Sequence, residues 1–340
     1  MNEKPRKKNI GHVAVAAGVS VATVSRTLQL PEIVAEETRR RVHEAIRHIG
    51  FTPNAQARTL RTARTNLIIA LVPDIANSFS SEVIRGIEQA AREHGYSVLL
   101  GDTQYSLSRE QTYADMIAAR QADGIITLLP HVPKLLIDGR FPVVSACECV
   151  EDRAITCIGV DNARSATIAV DHLLTLGHRR IALIAGPPSS PLSADRRHGY
   201  EAALRAAGAR SGAALMASGD FSAESGRSAV EELLARKERF TALFCSNDEM
   251  AIGAIRGLKA HGLRVPEDIS VVGFDDIRFA RYTDPPLTTM AQPKNELGRE
   301  ALNLLLEILG DTTVPTRKRV LAADLFVRQS TAAVPRSTRK

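Results

Sequence analysis

From Leu67 onward, short apolar runs alternate with helix-period patterns, and this alternation limits the possible folds more than any other feature. The run Leu67-Ile68-Ile69-Ala70-Leu71-Val72 has no polar position, as expected of a strand covered on both faces. A helical pattern follows over 81–95, then strand 96–100, helix 109–120, and strands 124–128 and 142–145. After Asp161 the pattern repeats: helix 163–176, strand 181–185, helices 195–207 and 223–235, strand 242–245, helix 249–261 and strand 269–273. Strands alternating with helices predict parallel sheets with helices on both faces. Two blocks of similar size predict two α/β subdomains. Ligands bind at the carboxyl ends of strands in such sheets. Gathered at those ends are Pro73-Asp74, Gly101-Asp102, Val160-Asp161, Gly186-Pro187, Ser246-Asn247-Asp248 and Phe274-Asp275-Asp276. These residue types suit a cleft with a few hydrogen-bonding groups, and equally suit ordinary turns.

The first 52 residues read differently. Val13, Ala16 and Ala17 recur at helical spacing, as do Val21, Val24 and Leu28. Gly18 between them suits a left-handed turn, and Ser20 can cap the second helix. Two helices joined by a short Gly-containing turn form the helix-turn-helix pattern. The second helix presents Val21, Ala22, Thr23, Ser25, Arg26 and Gln29 outward, small or hydrogen-bonding side chains that a major groove accepts. A helical hairpin buried in a core would show the same apolar spacing. A third helix is expected over 31–50, with an apolar stripe of Val34, Thr38, Val42, Ala45, Ile46 and Ile49. Its ends carry Glu36 and Glu37, then Arg47 and His48, as the helix dipole prefers. Pro53 ends it. Asn54 then caps a segment, 55–61, too short to persist alone in water and expected to order only on a partner. A polar linker reaches Asn66.

Charge separates the same two regions. Residues 1–65 hold 12 Lys and Arg against 5 Asp and Glu, a net of +7, which leaves −1 on the other 275. A basic N-terminal unit on a near-neutral body points to a polyanion partner for that unit alone. The Pro5-Arg6-Lys7-Lys8 arm fits that use.

Several other classes find no support. Cys147-Glu148-Cys149 has no second pair at a zinc spacing, so no metal is expected and the four cysteines read as free thiols of a reducing cytoplasm. The charged start lacks the apolar run of a secretion signal, and no stretch approaches the ~20 apolar residues of a membrane span. There is no phosphate-binding G-x-x-x-x-G-K-[ST] and no G-x-S-x-G elbow. Of the paired acids, Asp275-Asp276 lies at a strand end and Glu231-Glu232 on a helix surface. His178, after Gly177, is expected to cap helix-end carbonyls. No catalytic residue and no cofactor is expected.

The chain resembles the LacI/GalR family of bacterial transcriptional repressors along nearly its whole length. The matching runs are VAAGVSVATVSRTL (15–28), GFTPNAQARTL (50–60), HLLTLGHRRIALIAGP (172–187), FCSNDEMAIGA (244–254), VPEDISVVGFDDI (265–277), DPPLTTMAQP (284–293) and ELGREALNLLLE (296–307). VPDI, SEVIRGIE and HGYSVLLGD are most similar to the cytidine-responsive branch. The resemblance implies a three-helix helix-turn-helix headpiece (1–52), a hinge helix and linker (53–66) and a two-lobed core (67–332) like a periplasmic sugar-binding protein. The chain would cross the lobes near Asp161, Met290 and Ala322, giving an N-subdomain of about 67–161 and 291–322 and a C-subdomain of about 162–290 and 323–332, with 333–340 a tail.

On this resemblance Ser20, Val21, Ala22, Thr23, Ser25 and Arg26 meet DNA in the major groove. Asn54, Ala57 and Leu60 lie on the hinge helix, with Leu60 the apolar lever that wedges into the minor groove. His12 and Asn9 depart from the Asp and Thr usual in the first helix. The effector-binding positions are Phe79, Asp161, Arg196, Phe221, Asn247 and Asp275. Arg196 offers a planar donor fork, Asp275 an acceptor for hydroxyls, and the two Phe rings apolar faces. Purine-binding relatives carry a further aromatic where this chain has Ser80, which leaves a sugar or a differently held nucleoside open. The expected protein is a cytoplasmic homodimeric repressor of double-stranded operator DNA, controlled by a nucleoside or sugar. A C-terminal tetramerising coiled coil is not expected. The alternatives are a small-molecule binding protein without operator binding, and a sugar- or nucleoside-processing enzyme.

Overall fold

A computed structural model describes residues 8–52, 64–137, 141–148, 155–209, 212–236, 238–311 and 313–334. The chain divides into two units, Met1–Thr65 and Asn66–Lys340.

In the first unit, α1 (Ile10–Ala17), α2 (Val21–Gln29) and α3 (Glu36–Ile49) enclose a small core of Val13, Ala14, Ala17, Val24, Val42 and Ala45. Ala14 faces inward where the sequence pattern points to Ala16. Asn9 caps α1 reciprocally: its Oδ1 accepts from the His12 N–H (3.2 Å), and His12 Nδ1 accepts from the Asn9 N–H (3.1 Å). Gly18 takes the left-handed conformation (φ 61°) that closes α1. The Arg41 guanidinium locks that turn by donating to the carbonyls of Ala17 (2.6 Å) and Gly18 (3.3 Å). The third helix begins at Glu36, not at 31. Pro31–Ile33 forms a separate 3-10 turn, and Val34 is extended before the helix starts. Its acidic first turn and basic last turn are as expected.

The second unit holds, in chain order, β1 (Leu67–Val72), α4 (Ser78–Glu93), β2 (Ser97–Asp102), α5 (Leu107–Ala118), β3 (Gly124–Thr127), α6 (Lys134–Ile137), β4 (Val143–Ala146) and β5 (Thr156–Val160). Then come α7 (Asn162–Thr175), β6 (Ile181–Ala185), α8 (Pro191–Ala206), β7 (Met216–Ser218), α9 (Ala223–Ala235), β8 (Ala242–Cys245), α10 (Asp248–Ala260) and β9 (Ser270–Asp275). The last are β10 (Thr288–Ala291), α11 (Lys294–Gly310), β11 (Lys318–Leu321) and β12 (Asp324–Phe326). They build two six-stranded sheets, ordered β11-β5-β4-β3-β1-β2 and β12-β10-β9-β8-β6-β7. The first is parallel, with Ile69 level with both Leu99 and Ile125. The second is parallel except for β12, which runs against β10 with Leu325 opposite Met290. Each sheet and its helices form a lobe. The chain passes between lobes from β5 to α7, from β10 to α11 and from β11 to β12.

Strands β7, β11 and β12 escape the sequence pattern for a physical reason. All three sit at or beside sheet edges, are short, and expose most of β11 and β12, so no apolar run marks them. Two interior strands also escape it: Thr156-Cys157-Ile158-Gly159-Val160 and Thr288-Thr289-Met290-Ala291 mix polar residues or glycine into the run, although both are largely buried.

Helices pair at backbone contact inside each lobe. A side chain on Gly86 of α4 would fall 2.1 Å from the Asn295 carbonyl oxygen, and one on Gly298 of α11 would fall 2.0 Å from that of Val83. In the other lobe, Gly226 of α9 and Gly253 of α10 would meet the carbonyls of Met250 and Ala223 at 2.1 and 1.7 Å. His178 does not cap its helix. Its Nδ1 pairs with Thr241 Oγ1 (2.9 Å) and its Nε2 with the Ala332 carbonyl (3.0 Å), fastening the C-terminal segment. Arg179 takes the helix-end carbonyl of Leu174 instead (3.0 Å). Cys147, Cys157 and Cys245 are buried free thiols; Cys149 lies outside the described residues. Among the described residues no helix is long and apolar enough to cross a membrane.

Candidate functional site

In the first unit, α2 carries the six residues that the sequence pattern singles out. Ser20 Oγ accepts from the Thr23 N–H (3.1 Å) and pairs with Thr23 Oγ1 (2.9 Å), so one hydroxyl caps the helix start and fixes its neighbour. Val24 and Thr27 face the core. Val21, 48% exposed, turns outward with Ala22 and Arg26. Ser25, half-buried, accepts from Gln29 Nε2 (3.2 Å). The outward face of α2 therefore sets short side chains around Arg26, a surface that can lie close to base edges. Asn54, Ala57 and Leu60 lie outside the described residues.

In the second unit, the strand ends bring Arg196, Asn247, Asp275 and Phe221 together. Arg196 on α8 is 3% exposed. Its Nε donates to Asn162 Oδ1 (2.9 Å) and its Nη1 to the Ser246 carbonyl. Its guanidinium lies over the Phe274 ring, and Nη1 is 3.8 Å from Asp275 Oδ1. Burial pulls the Arg196 pKa down, while Asp275 and Glu148 hold it up. Asn247 caps α10 by accepting from the Met250 N–H (2.9 Å), and its Nδ2 donates to the Phe221 carbonyl (2.9 Å). That bond holds Phe221 in a left-handed conformation (φ 73°), with its ring against Gly186. Asp161 caps α7 through the Arg164 N–H (2.9 Å) and stays exposed, next to the Asn162 that orients Arg196. Phe79, from the other lobe, is half-buried against apolar residues of both lobes.

The Asp275 carboxyl is pushed up to about 6, burial outweighing Arg196, Gln292 and Lys294. Its backbone (φ 118°) and that of Asp276 (φ 52°) are left-handed at non-glycine residues, a conformation that costs on the order of 1–3 kcal/mol each unless the surroundings impose it. Here they do. Lys294, 6% exposed at the start of α11, donates its Nζ to the carbonyls of Asp275 (2.6 Å) and Asp276 (2.7 Å). Gln292 Nε2 donates to Asp275 Oδ1 (2.7 Å), and Arg328 to Asp276 Oδ1 (2.6 Å). Gln292 and Lys294 flank the second interlobe crossing, so the candidate ligand carboxylate is tied to the hinge. Sequence reasoning missed both: a polar residue beside Pro293 reads as turn chemistry.

Two hydroxyls at this site, Ser193 Oγ and Ser246 Oγ, are buried with no hydrogen-bond partner among the described residues. Buried polar groups are rarely left so, and ligand hydroxyls would satisfy them. Glu148, also missed, is 6% exposed and accepts from Ser190 Oγ (2.9 Å); burial raises its pKa. Among the described residues no three His, Cys, Asp or Glu side chains gather as metal ligands.

Comparison with known proteins supplies the context. A family profile described as bacterial regulatory proteins, lacI family, matches residues 9–54, and one for a periplasmic binding protein-like domain matches residues 170–331. The HTH-type transcriptional repressor CytR of Escherichia coli K12 is 41% identical over 330 residues, 95% of this chain and 96% of its own. The HTH-type transcriptional regulator CelR of Thermobifida fusca is 36% identical over 340 residues, 96% of this chain and 99% of its own. Among solved structures, the lac repressor dimer bound to operator and the anti-inducer ONPF matches with a TM-score of 0.86 at 30% identity, covering 96% of this chain and 100% of that one. A transcriptional regulator CelR–cellobiose complex matches at 0.74 and 32% identity, covering 95% and 99%.

Proposed function

Because the chain belongs to the lacI family of bacterial regulatory proteins, we propose that its helix-turn-helix unit and its two-lobed core work as one ligand-controlled switch on DNA. The protein is a DNA-binding transcriptional regulator, and like the lac repressor it acts as a dimer. Two copies of α2 then read successive major grooves of a near-palindromic operator. Arg26 and the short side chains around it face the bases. Asn54, Ala57 and Leu60 serve the hinge that joins the units, Leu60 as the minor-groove wedge. The subdomain boundaries are those at which the chain changes sheets.

The effector occupies the cleft at Arg196, Asn247, Asp275, Phe221, Phe79 and Asp161. It is a small uncharged molecule rich in hydroxyls, a nucleoside or a sugar. One observation carries this: two buried serine hydroxyls, unpartnered among the described residues, lie beside a guanidinium that is already paired and stacked. A phosphate would need a free cation there. The ligand acts by binding the open and closed core with different affinity, since equal affinity would shift nothing. The relatives' regulatory roles support a switch without catalysis.

Retention of specific fragments in a gel shift of genomic DNA, with and without cytidine or cellobiose, tests the reading. No sequence-specific retention at moderate salt would sink it. A sugar phosphate stabilising the protein more than the free sugar would overturn the effector class. Leu60→Ala should weaken specific binding far more than non-specific binding, because phosphate contacts remain.

A further inference from the structure

Two carboxylates cross the cleft in opposite directions. Glu148, on the loop after β4, belongs to the first lobe. Its Oε1 accepts from Ser190 Oγ (2.9 Å) and its Oε2 from the Leu192 N–H (3.4 Å), both at the start of α8 in the second lobe. Glu249, in the first turn of α10, belongs to the second lobe. Its Oε1 accepts from the Ser78 N–H (3.1 Å), the first residue of α4 in the first lobe. Each lobe thus sends one acid to the start of a helix in the other. A helix start carries unpaired N–H groups and a partial positive charge, which favour a carboxylate.

The surroundings make these contacts matter. The Tyr105 phenol is raised first by burial and then by Asp74, Asp220, Glu148 and Glu249. Two of those acids come from each lobe. Acids of both lobes thus act on one phenol, and the two helix starts are placed to receive Glu148 and Glu249 across the cleft.

We propose that these reciprocal clasps hold the two lobes against each other, with Glu148 and Glu249 as positioning residues for closure. An effector then works against or with the clasps, and their strength sets how far a given ligand can move the open–closed balance. The proposal concerns how the cleft is held and stands apart from what the cleft binds.

Hydrogen exchange on the full-length protein without added ligand tests it. The readout is two segments, 75–82 and 189–194, one beside each clasp. Glu249→Ala removes one clasp; Ser190→Ala weakens the other while sparing the buried Glu148. Each variant should speed exchange several-fold in both segments, including the one its own residue does not touch. Faster exchange only beside the altered residue would reduce both contacts to local caps and overturn the proposal, as would no change. Loss of DNA binding would leave this result unaffected, so the two failures are separable.

Discussion

The guanidinium carbon of Arg196 sits 3.7 Å above the centre of the Phe274 ring. Stacked there and bonded at Nε and Nη1, the group keeps a fixed plane, and only its remaining N–H groups are free to meet a ligand. A lysine would keep the charge but lose both the fork and the stack. Wild-type protein at a probe concentration 100-fold above Kd should gain about 2.7 kcal/mol in thermal stability. With cytidine or cellobiose, whichever stabilises the wild type, Arg196→Lys should cut that gain to about 0.4 kcal/mol, the value for a 100-fold weaker Kd. An unchanged thermal shift would remove Arg196 from the ligand site.

As the proposed acceptor for a ligand hydroxyl, Asp275 should make binding pH-dependent. Its carboxyl is raised to about 6, and a carboxylate accepts hydroxyl protons that a carboxylic acid partly cannot. Probe affinity, measured by calorimetry, should hold above pH 7 and fall as pH drops through about 6. The sign for folding is opposite. A raised carboxyl pKa stabilises the fold below the unfolded value and loses that contribution as pH rises through the folded one. Acidification from pH 7 to 5.5 therefore weakens the ligand without cost to the fold from this group. In Asp275→Asn the remaining affinity should be flat over the same range.

Arg26 and Ser20 separate two contributions to DNA binding. Arg26→Ala removes the only long cationic side chain on the outward face of α2, and a lost base contact is worth about 1–3 kcal/mol. Specific operator affinity should fall roughly 10- to 100-fold, with little change on random DNA. Ser20→Ala removes the cap, typically ~1 kcal/mol of helix stability, so it should lower the melting temperature of the N-terminal unit. Equal losses on operator and random DNA for Arg26→Ala would place that residue on the phosphates.

Gly253 tests the helix pairing of the second lobe. A methyl group there would lie 1.7 Å from the Ala223 carbonyl oxygen, and backbone cannot rotate aside as a side chain can. Gly253→Ala should destabilise the protein by about 3 kcal/mol or more, beyond the usual range for overpacking. Gly310→Ala, with nothing within 4 Å among the described residues, should be neutral or slightly stabilising. Urea denaturation of the two variants decides it, and similar midpoints would contradict the close approach.

Much of the buried centre of the fold was legible in the sequence because parallel strands covered on both faces tend to be continuously apolar; β5 and β10, interrupted by threonine or glycine, were not. Strands 181–185 and 242–245 and helix 223–235 fall where the pattern puts them. Of the edge strands only β2 was legible: Lys318-Arg319-Val320-Leu321 forms a strand by hydrogen bonding to β5, which leaves no trace in its side chains. At the cleft, Arg196 and Asp275 were visible through resemblance. Glu148, Gln292 and Lys294 were not, because a buried charge is defined by what the rest of the chain folds around it. His178 shows the same limit. Its position after Gly177 suggested a helix cap, yet its partners are 63 and 154 residues away.

The glycine-lined helix pairs have a consequence for how such a protein can change its address. With main chain pressed on main chain, the interior of each lobe has few rotamers to absorb a shift. Each lobe should then move as a unit, with give concentrated at the three chain crossings between the lobes. A new small molecule can then be accommodated by exchanging side chains along the jaw faces alone. The gearing that delivers the signal stays as it was, which lets one chassis answer to different metabolites.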